Sequence, residues 1–181
     1  MFASSRAPPG MVVGSGKKSM NTQSKLLDRQ SLAAQLDDVR AAGRIIVFTN
    51  GCFDILHVGH VRYLSAAKSQ GDVLVIGVNS DDSVRSIKGA QRPVVSQAQR
   101  AEVLAGLACV DYVTIFDESN PLELIKLLKP HVLAKGADWE ADQIIGSDFV
   151  KAAGGRVARI PLVPDISTSK IIASILEKNR R

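Results

Sequence analysis

Two histidines three residues apart, His57 and His60, close the run Thr49-Asn50-Gly51-Cys52-Phe53-Asp54-Ile55-Leu56-His57-Val58-Gly59-His60. At helical spacing both imidazoles fall on one face. Where that face opens a helix, the rings stand beside the free N–H groups of the first turn, a place that favours anions through its donors and partial positive charge. Imidazole adds further donors. Gly59, between the histidines, keeps the surface low enough for a phosphate to approach, and Gly51 does the same for the strand-to-loop backbone. Zinc is the rival ligand, but His-x-x-His needs more ligands than the chain offers. The only other histidine is His131, and Cys52 and Cys109 lack metal-ligand spacing, so no protein metal site is assigned. A buried structural role for the two histidines is the plain alternative; Gly51, Asp54 and Gly59 at a strand-to-helix junction favour chemistry.

A second group of donors stands near the end of the chain, where Ser167, Thr168 and Ser169 open the last helical pattern. One hydroxyl there is ordinarily a helix cap, and three in a row exceed what one cap needs. Between them lies a charged stretch, Asn79-Ser80-Asp81-Asp82-Ser83-Val84-Arg85-Ser86-Ile87-Lys88-Gly89, followed by Arg92-Pro93 and Arg100. Charged loop residues are ordinarily just solvated, and that reading is kept for Arg85.

The elements that must position these groups follow from periodicity. Leu27, Leu32, Leu36 and Val39 are spaced for a helix over 26–42, with Gly43 placed to stop it. Short apolar runs at Arg44–Thr49, Val73–Val78, Tyr112–Phe116, Val132–Ala134 and Arg156–Ile160 suit strands buried on both faces. Helical patterns lie between them at about 58–69, 96–107, 121–128, 141–153 and 168–178, and 79–89 reads as a loop. Strict alternation predicts an α/β fold, a Rossmann-like open parallel sheet with helices on both faces and right-handed crossovers. Such sheets bind ligands at the carboxyl ends of their strands, where the strand order reverses. His57 and His60 follow the first strand and belong to that crevice.

Length and composition fit one domain, 25–181, preceded by a Gly-, Ser-, Pro- and Lys-rich leader over 1–24 that is expected to be flexible and outside the fold. No apolar run approaches the roughly 18 residues of a membrane span and the start has no apolar h-region, so a cytoplasmic protein with no membrane partner is expected. Two cysteines are too few for a disulfide framework and read as reduced thiols. The net charge of +5 sits at the ends: residues 1–30 carry +4 and 177–181 carry +2, leaving −1 for 31–176. A basic nucleic-acid-binding face is therefore not indicated, whereas a small anionic ligand held by a few placed cations is compatible.

The stretch from Gly51 to His60 resembles the G-[TC]-F-D-x-x-H-x-G-H signature of the cytidylyltransferase-like superfamily of nucleotidyltransferases, and the resemblance extends over nearly all of residues 26–178. It implies that His57 and His60 contact a triphosphate and stabilise charge on the transferring phosphoryl group. Lys88, before Gly89, then reaches the α-phosphate as the third catalytic residue. Nucleotide binding falls to Gly51, Cys52, Phe53 and Gly59, to Ser167, Thr168 and Ser169 for the β- and γ-phosphates, and to Lys135, Gly136, Asp138 and Trp139. The last two match the family's G-x-D-[YW] segment, which implies a nucleoside pocket with Asp138 on the ribose. A lone Trp is more often core than ligand platform, but this one follows a strand's carboxyl end. Asp54, Asn79, Arg92 and Arg100 are assigned to the second substrate.

Within the superfamily the chain is most similar to the adenylyltransferases that act on D-glycero-D-manno-heptose 1-phosphate. This implies ATP with Mg2+ and a sugar 1-phosphate as reactants, ADP-heptose for the lipopolysaccharide inner core and pyrophosphate as products, a homo-oligomer, and a separate heptose kinase for a stand-alone domain. A cytidylyltransferase for a polyol or amino-alcohol phosphate is the nearest alternative. Glycerol-phosphate cytidylyltransferases carry Arg-Thr-Glu-Gly before the Ser/Thr motif, however, and Leu162, Val163, Pro164 and Asp165 stand here instead. A non-catalytic nucleotide sensor is the remote alternative; it has no reason to keep His57, His60, Lys88 and the Ser/Thr turn together.

Overall fold

The computed structural model describes residues 22–140 and 143–179. Five strands form one parallel sheet: β1 (Ile46–Gly51), β2 (Val73–Asn79), β3 (Tyr112–Phe116), β4 (Val132–Gly136) and β5 (Arg156–Ile160), in the order β3-β2-β1-β4-β5. Seven helices connect and cover them: α1 (Arg29–Ala41), α2 (Val58–Lys68), α3 (Asp81–Lys88), α4 (Gln97–Ala105), α5 (Leu122–Leu128), α6 (Ser147–Ala152) and α7 (Thr168–Lys178). The expected Rossmann-like parallel sheet is the observed one.

Successive strand residues feed opposite layers, as the period of two requires. Val47, Leu74, Ile76, Val113 and Ala134 pack with Leu64 and Ala67 of α2 and Ala101 and Leu104 of α4. Their neighbours Ile46, Phe48, Val73, Val75 and Leu133 pack with Leu32 and Leu36 of α1, Leu124 and Leu128 of α5 and Val150 of α6. Fully burying a Leu or Phe side chain contributes about 1.5–3 kcal/mol, so both faces of the sheet stabilise the fold. From β1 the chain moves outward to β2 and β3, then returns to the other side for β4 and β5. The order reverses at β1, and β1 delivers the His57–His60 segment.

Several boundaries differ from the sequence expectation. The 79–89 segment contains a helix, α3, capped by the Ser80 hydroxyl, which accepts from the Ser83 N–H, with Asp81 and Asp82 in its first turn and Arg85 and Lys88 in its last. These are ordinary start and stop signals; with only two apolar residues, Val84 and Ile87, the segment lacks the periodicity that betrays longer helices. The expected helix over 141–153 is shorter, Ser147–Ala152, preceded by a turn through Gly146 at φ 88°; residues 141 and 142 lie outside the described residues. The first helix begins at Arg29, capped by Asp28. Most of the leader expected over 1–24 also lies outside the described residues. Thr22–Lys25 form a 3-10 turn, Lys25 Nζ donates to the Val110 carbonyl at 2.7 Å, and Leu26 bridges to Val113 of β3.

Gly77, inside β2, has no room for a methyl: a Cβ there would lie 3.0 Å from Phe48 Cζ and 3.1 Å from Leu124 Cδ2. Gly77→Ala is expected to overpack this layer and lower stability by about 1–3 kcal/mol, read as a lower urea midpoint at unchanged slope. A wild-type midpoint would show that Phe48 gives way freely.

Candidate active site

At the carboxyl end of β1 the chain turns through Phe53, at φ 47°, and enters α2 at His57, which occupies the cap position without making a side-chain cap bond. The imidazoles of His57 and His60 stack at 3.9 Å with 25° between planes, and the Phe53 ring meets His60 edge-on at 5.4 Å. The Nδ1 atoms of both histidines are buried without a partner. Burial holds both rings below the usual histidine range. The effect is larger for His60, brought down to about 4 by burial first and by its neighbour His57 second. Both shifts favour the neutral imidazole. Gly59 has a packing reason as well: a Cβ there would lie 2.9 Å from the His57 ring and 3.2 Å from Ile166 Cγ2, so the missing side chain is the space the imidazole fills.

The Ser/Thr turn faces the same cleft from the far end of the chain. Ser167 Oγ caps α7 by accepting from the Lys170 N–H at 3.2 Å, and Thr168 Oγ1 donates to the Ile55 carbonyl at 3.3 Å, tying α7 to the loop that opens α2. Two helix N-termini, each of an 11-residue helix, thus face one cleft of about 660 Å³. His57, Gly59, His60, Ser167, Thr168 and Ser169 line it, as do Gly51, Cys52 and Phe53. Lys88, the last residue of α3, and Lys135, Gly136, Asp138 and Trp139 beyond β4 line it too. Lys135 Nζ donates to Asn50 Oδ1, and burial lowers its pKa to about 8 against the pull of Asp138. Gly136 lets Asp138 fold back, because a Cβ there would meet Asp138 Oδ1 at 2.3 Å. Trp139 is half exposed on the cleft wall rather than in the core.

The four residues assigned to the second substrate divide. Asn79 and Arg92 line the cleft. Asp54 also lines it, but its carboxylate is engaged by Arg92 Nε at 2.6 Å and by the Val94 and Val95 N–H groups at 2.8 and 2.9 Å. Burial alone would raise its pKa; those donors outweigh it and hold the group below the usual carboxylate range. Arg100 lies under the site rather than in it: its side chain is fully enclosed, and the guanidinium donates to the carbonyls of Cys52, Asn79 and Val95 and to Asp81 Oδ1. Burial pushes the Cys52 thiol up, against the attraction of Lys88, Arg100 and Arg92.

Sequence reasoning passed over Tyr63, whose hydroxyl shares a 2.8 Å hydrogen bond with Thr49, and Ser119, Asn120, Pro121, Ile144 and Ile145, all of which line the cleft. The rule that places ligands after strand ends points to Ser119 and Asn120, three and four residues beyond β3. His131 is structural: its Nδ1 accepts from the Ile46 N–H at 3.0 Å. Among the described residues no cluster of three metal-ligating side chains occurs, and no helix is long and apolar enough to cross a membrane.

Fold and site together define a Rossmann-like domain with an HxGH segment at its topological switch point. The chain belongs to the cytidylyltransferase-like family, whose model matches residues 48–174. It is 50% identical over 173 residues to the Bifunctional protein HldE of Geobacter metallireducens, covering 95% of this chain and 35% of that protein. It is also 50% identical over 151 residues to the Bifunctional protein HldE of Methylobacillus flagellatus, covering 83% and 31%. The chain thus spans about a third of the length of these curated relatives. Among solved structures it is similar to the lipopolysaccharide core biosynthesis protein of Thermoplasma volcanium, at TM-score 0.56 and 28% identity, covering 67% of this chain and 98% of that one. It shares its fold with the pantoate-beta-alanine ligase of Francisella tularensis, at TM-score 0.57 and 16% identity, covering 86% and 79%.

Gly59→Ala is expected to leave the thermal transition close to wild type while displacing His57 and lowering turnover by about tenfold or more, on the scale of one misplaced catalytic group; unchanged turnover would show that the His57 position is not critical. His60 supplies a second check. Its folded pKa of about 4 lies below the ordinary 6.5, so the unfolded chain takes up the proton first and the fold loses stability as pH falls from about 6.5 toward 4. An adjacent polyanion must raise the folded value. Imidazole NMR titration is expected to give a midpoint near 4 without ligand and one at least a unit higher with inorganic tripolyphosphate; a midpoint near 6.5 without ligand would contradict the burial argument.

Proposed function

We propose that this domain transfers the adenylyl group of ATP to D-glycero-D-manno-heptose 1-phosphate, forming ADP-heptose for the lipopolysaccharide inner core and releasing pyrophosphate. The observation that carries the reading is the convergence of the stacked His57–His60 pair and the Ser167–Ser169 turn, two helix N-termini, on one cleft at the strand-order reversal. Similarity to proteins named HldE and to a lipopolysaccharide core biosynthesis protein supports the sugar assignment. Leu162, half exposed on the cleft wall where glycerol-phosphate cytidylyltransferases place a phosphate-binding arginine, speaks against that alternative.

The chemistry asks for positioning and charge stabilisation. A sugar-phosphate oxygen is already an anion, so its in-line attack on the α-phosphorus needs no protein base. Asp54, engaged by three donors, is a poor candidate for one in any case. The helix N-termini and the two imidazoles place donors where charge grows on the α-phosphate and the departing pyrophosphate, and Lys88 adds a mobile cation from the end of α3. Arg92 spends Nε on Asp54, leaving its other guanidinium nitrogens for an acceptor phosphate. Magnesium would come with the nucleotide, held by its phosphates, and would neutralise part of their charge. A cleft lined with imidazoles, hydroxyls and cations fits such a complex, since the phosphates supply the metal ligands. The reading also implies a homo-oligomer and a kinase activity that makes the heptose 1-phosphate.

Pyrophosphate release measured with ATP or CTP against heptose 1-phosphate or glycerol 3-phosphate is expected to be fastest for ATP with the heptose; a preference for CTP with glycerol 3-phosphate would overturn the assignment. In the same assay His57→Ala and His60→Ala should each lower turnover by about 100-fold or more, the scale of one lost charge-stabilising donor, with the thermal transition retained. Wild-type turnover in either variant would remove that histidine from the mechanism.

A further inference from the structure

We propose that the loop after β3, through Ser119 and Asn120, forms with Asn79 the subsite for the hydroxyl groups of the acceptor sugar, and that Arg29 holds this loop in place. The inference rests on the sugar-phosphate reading above and names the part of the cleft that performs it. The sheet order puts the loops after β2 and β3 on one side of β1 and those after β4 and β5 on the other. The β4/β5 side carries Trp139 and Leu162, an indole and an aliphatic surface suited to a base. Phosphate-binding groups occupy the middle, after β1. The acceptor is left the β2/β3 side, where the wall carries amides and a hydroxyl.

The donor and acceptor pattern of that wall fits a polyhydroxylated ligand. Asn79 is almost fully buried and gives its Nδ2 to Ser83 Oγ at 2.9 Å, which leaves Oδ1 as an acceptor at the wall. Asn120 uses Oδ1 to accept from the Leu122 N–H at 3.1 Å, which leaves its Nδ2 to donate, and the exposed Ser119 hydroxyl does either. Each sugar hydroxyl both donates and accepts, so an acceptor, a donor and a hydroxyl along one wall can be satisfied together. A quaternary ammonium would instead call for aromatic faces, and Asn79, Ser119, Asn120 and Pro121 supply none.

The loop is held in place before any ligand binds. Arg29 of α1 grips Glu118 with two parallel bonds of 2.6 and 3.0 Å, the bidentate geometry in which arginine fixes a carboxylate. From the other side Ser83 Oγ, which receives the Asn79 amide, donates to the Glu118 carbonyl at 3.0 Å. Asn79 and the 118–120 loop are thereby linked through one hydroxyl, and such preorganisation lowers the cost of ordering the site on binding. Arg29 touches no substrate in this arrangement; it is a positioning residue.

Ser119→Ala and Asn120→Ala are each expected to raise the acceptor KM about tenfold, the scale of one lost hydrogen bond to a ligand hydroxyl, with kcat and the directly titrated ATP Kd within about twofold of wild type. Asn120→Asp keeps the Leu122 cap and deletes the donor; a raised acceptor KM there excludes misfolding of α5 as the cause. Arg29→Met should raise the acceptor KM and spare the ATP Kd, and Arg29→Lys should recover part of the loss. An unchanged acceptor KM in the Ser119 and Asn120 variants, or equal losses for ATP and acceptor, would overturn the subsite while leaving the proposed function standing. A wild-type protein that binds ATP but neither binds nor adenylylates heptose 1-phosphate or any other sugar phosphate would overturn both.

Discussion

A guanidinium with no exposed surface lies at the centre of this structure. Arg100 is the largest fully buried side chain among the described residues, and its neighbours determine why it can be there. A buried charge is tolerated only when its donors are met and a counter-charge is near; here three carbonyls and Asp81 meet them. Those acceptors come from four places: Cys52 after β1, Asn79 at the end of β2, Asp81 in the first turn of α3, and Val95 ahead of α4. Asp54 makes the complementary closure from above, with a buried carboxylate that binds Arg92 and the backbone of Val94 and Val95. One cation and one anion thus fasten the 92–95 segment to the β1 loop, and the histidines, Lys88 and Arg92 inherit their positions from that fastening.

The histidine pair shows the opposite use of burial. The Arg100 guanidinium is met by partners on every side; His57 and His60 are stacked together, partly buried and given no partner at Nδ1, which favours the neutral imidazole. In the proposed reaction their charge would be induced by the ligand. A polyanion entering the cleft is both the bound species and the source of the field that makes protonated imidazole favourable, so donor strength rises where negative charge accumulates.

The alternation of five apolar runs with helical patterns was enough to read the sheet and to place the His57–His60 segment at its switch point, because a strand buried on both faces and a covering helix leave different periods in the sequence. α3 escaped because its evidence is local capping around Ser80 and not periodicity. The roles of Asp54 and Arg100 escaped for another reason. A charged residue beside a motif looks alike whether it points into a cleft or beneath it, and only the partners, Val94 and Val95 for one, Cys52 and Asn79 for the other, distinguish the two. Ser119 and Asn120 belong to no motif, and only their place just after a strand end marks them; they reach the cleft because β3 lies at the edge of the sheet on the side where β2 carries Asn79.

α7 is attached unlike any other long helix of the domain. None of its residues is buried, Ile175 and Leu176 are half exposed, and a single Thr168 side-chain bond to Ile55, 113 residues earlier, ties its start to the loop that opens α2. Segments with so little enclosed surface open at a small fraction of the free energy of global unfolding. The Ser167–Ser169 end of the cleft can therefore part while both core layers and the Arg100 fastening stay intact. In the proposed reaction, a door of that kind would give pyrophosphate a way out that does not lead past the newly formed sugar nucleotide, and the rate of product departure would then be a property of α7.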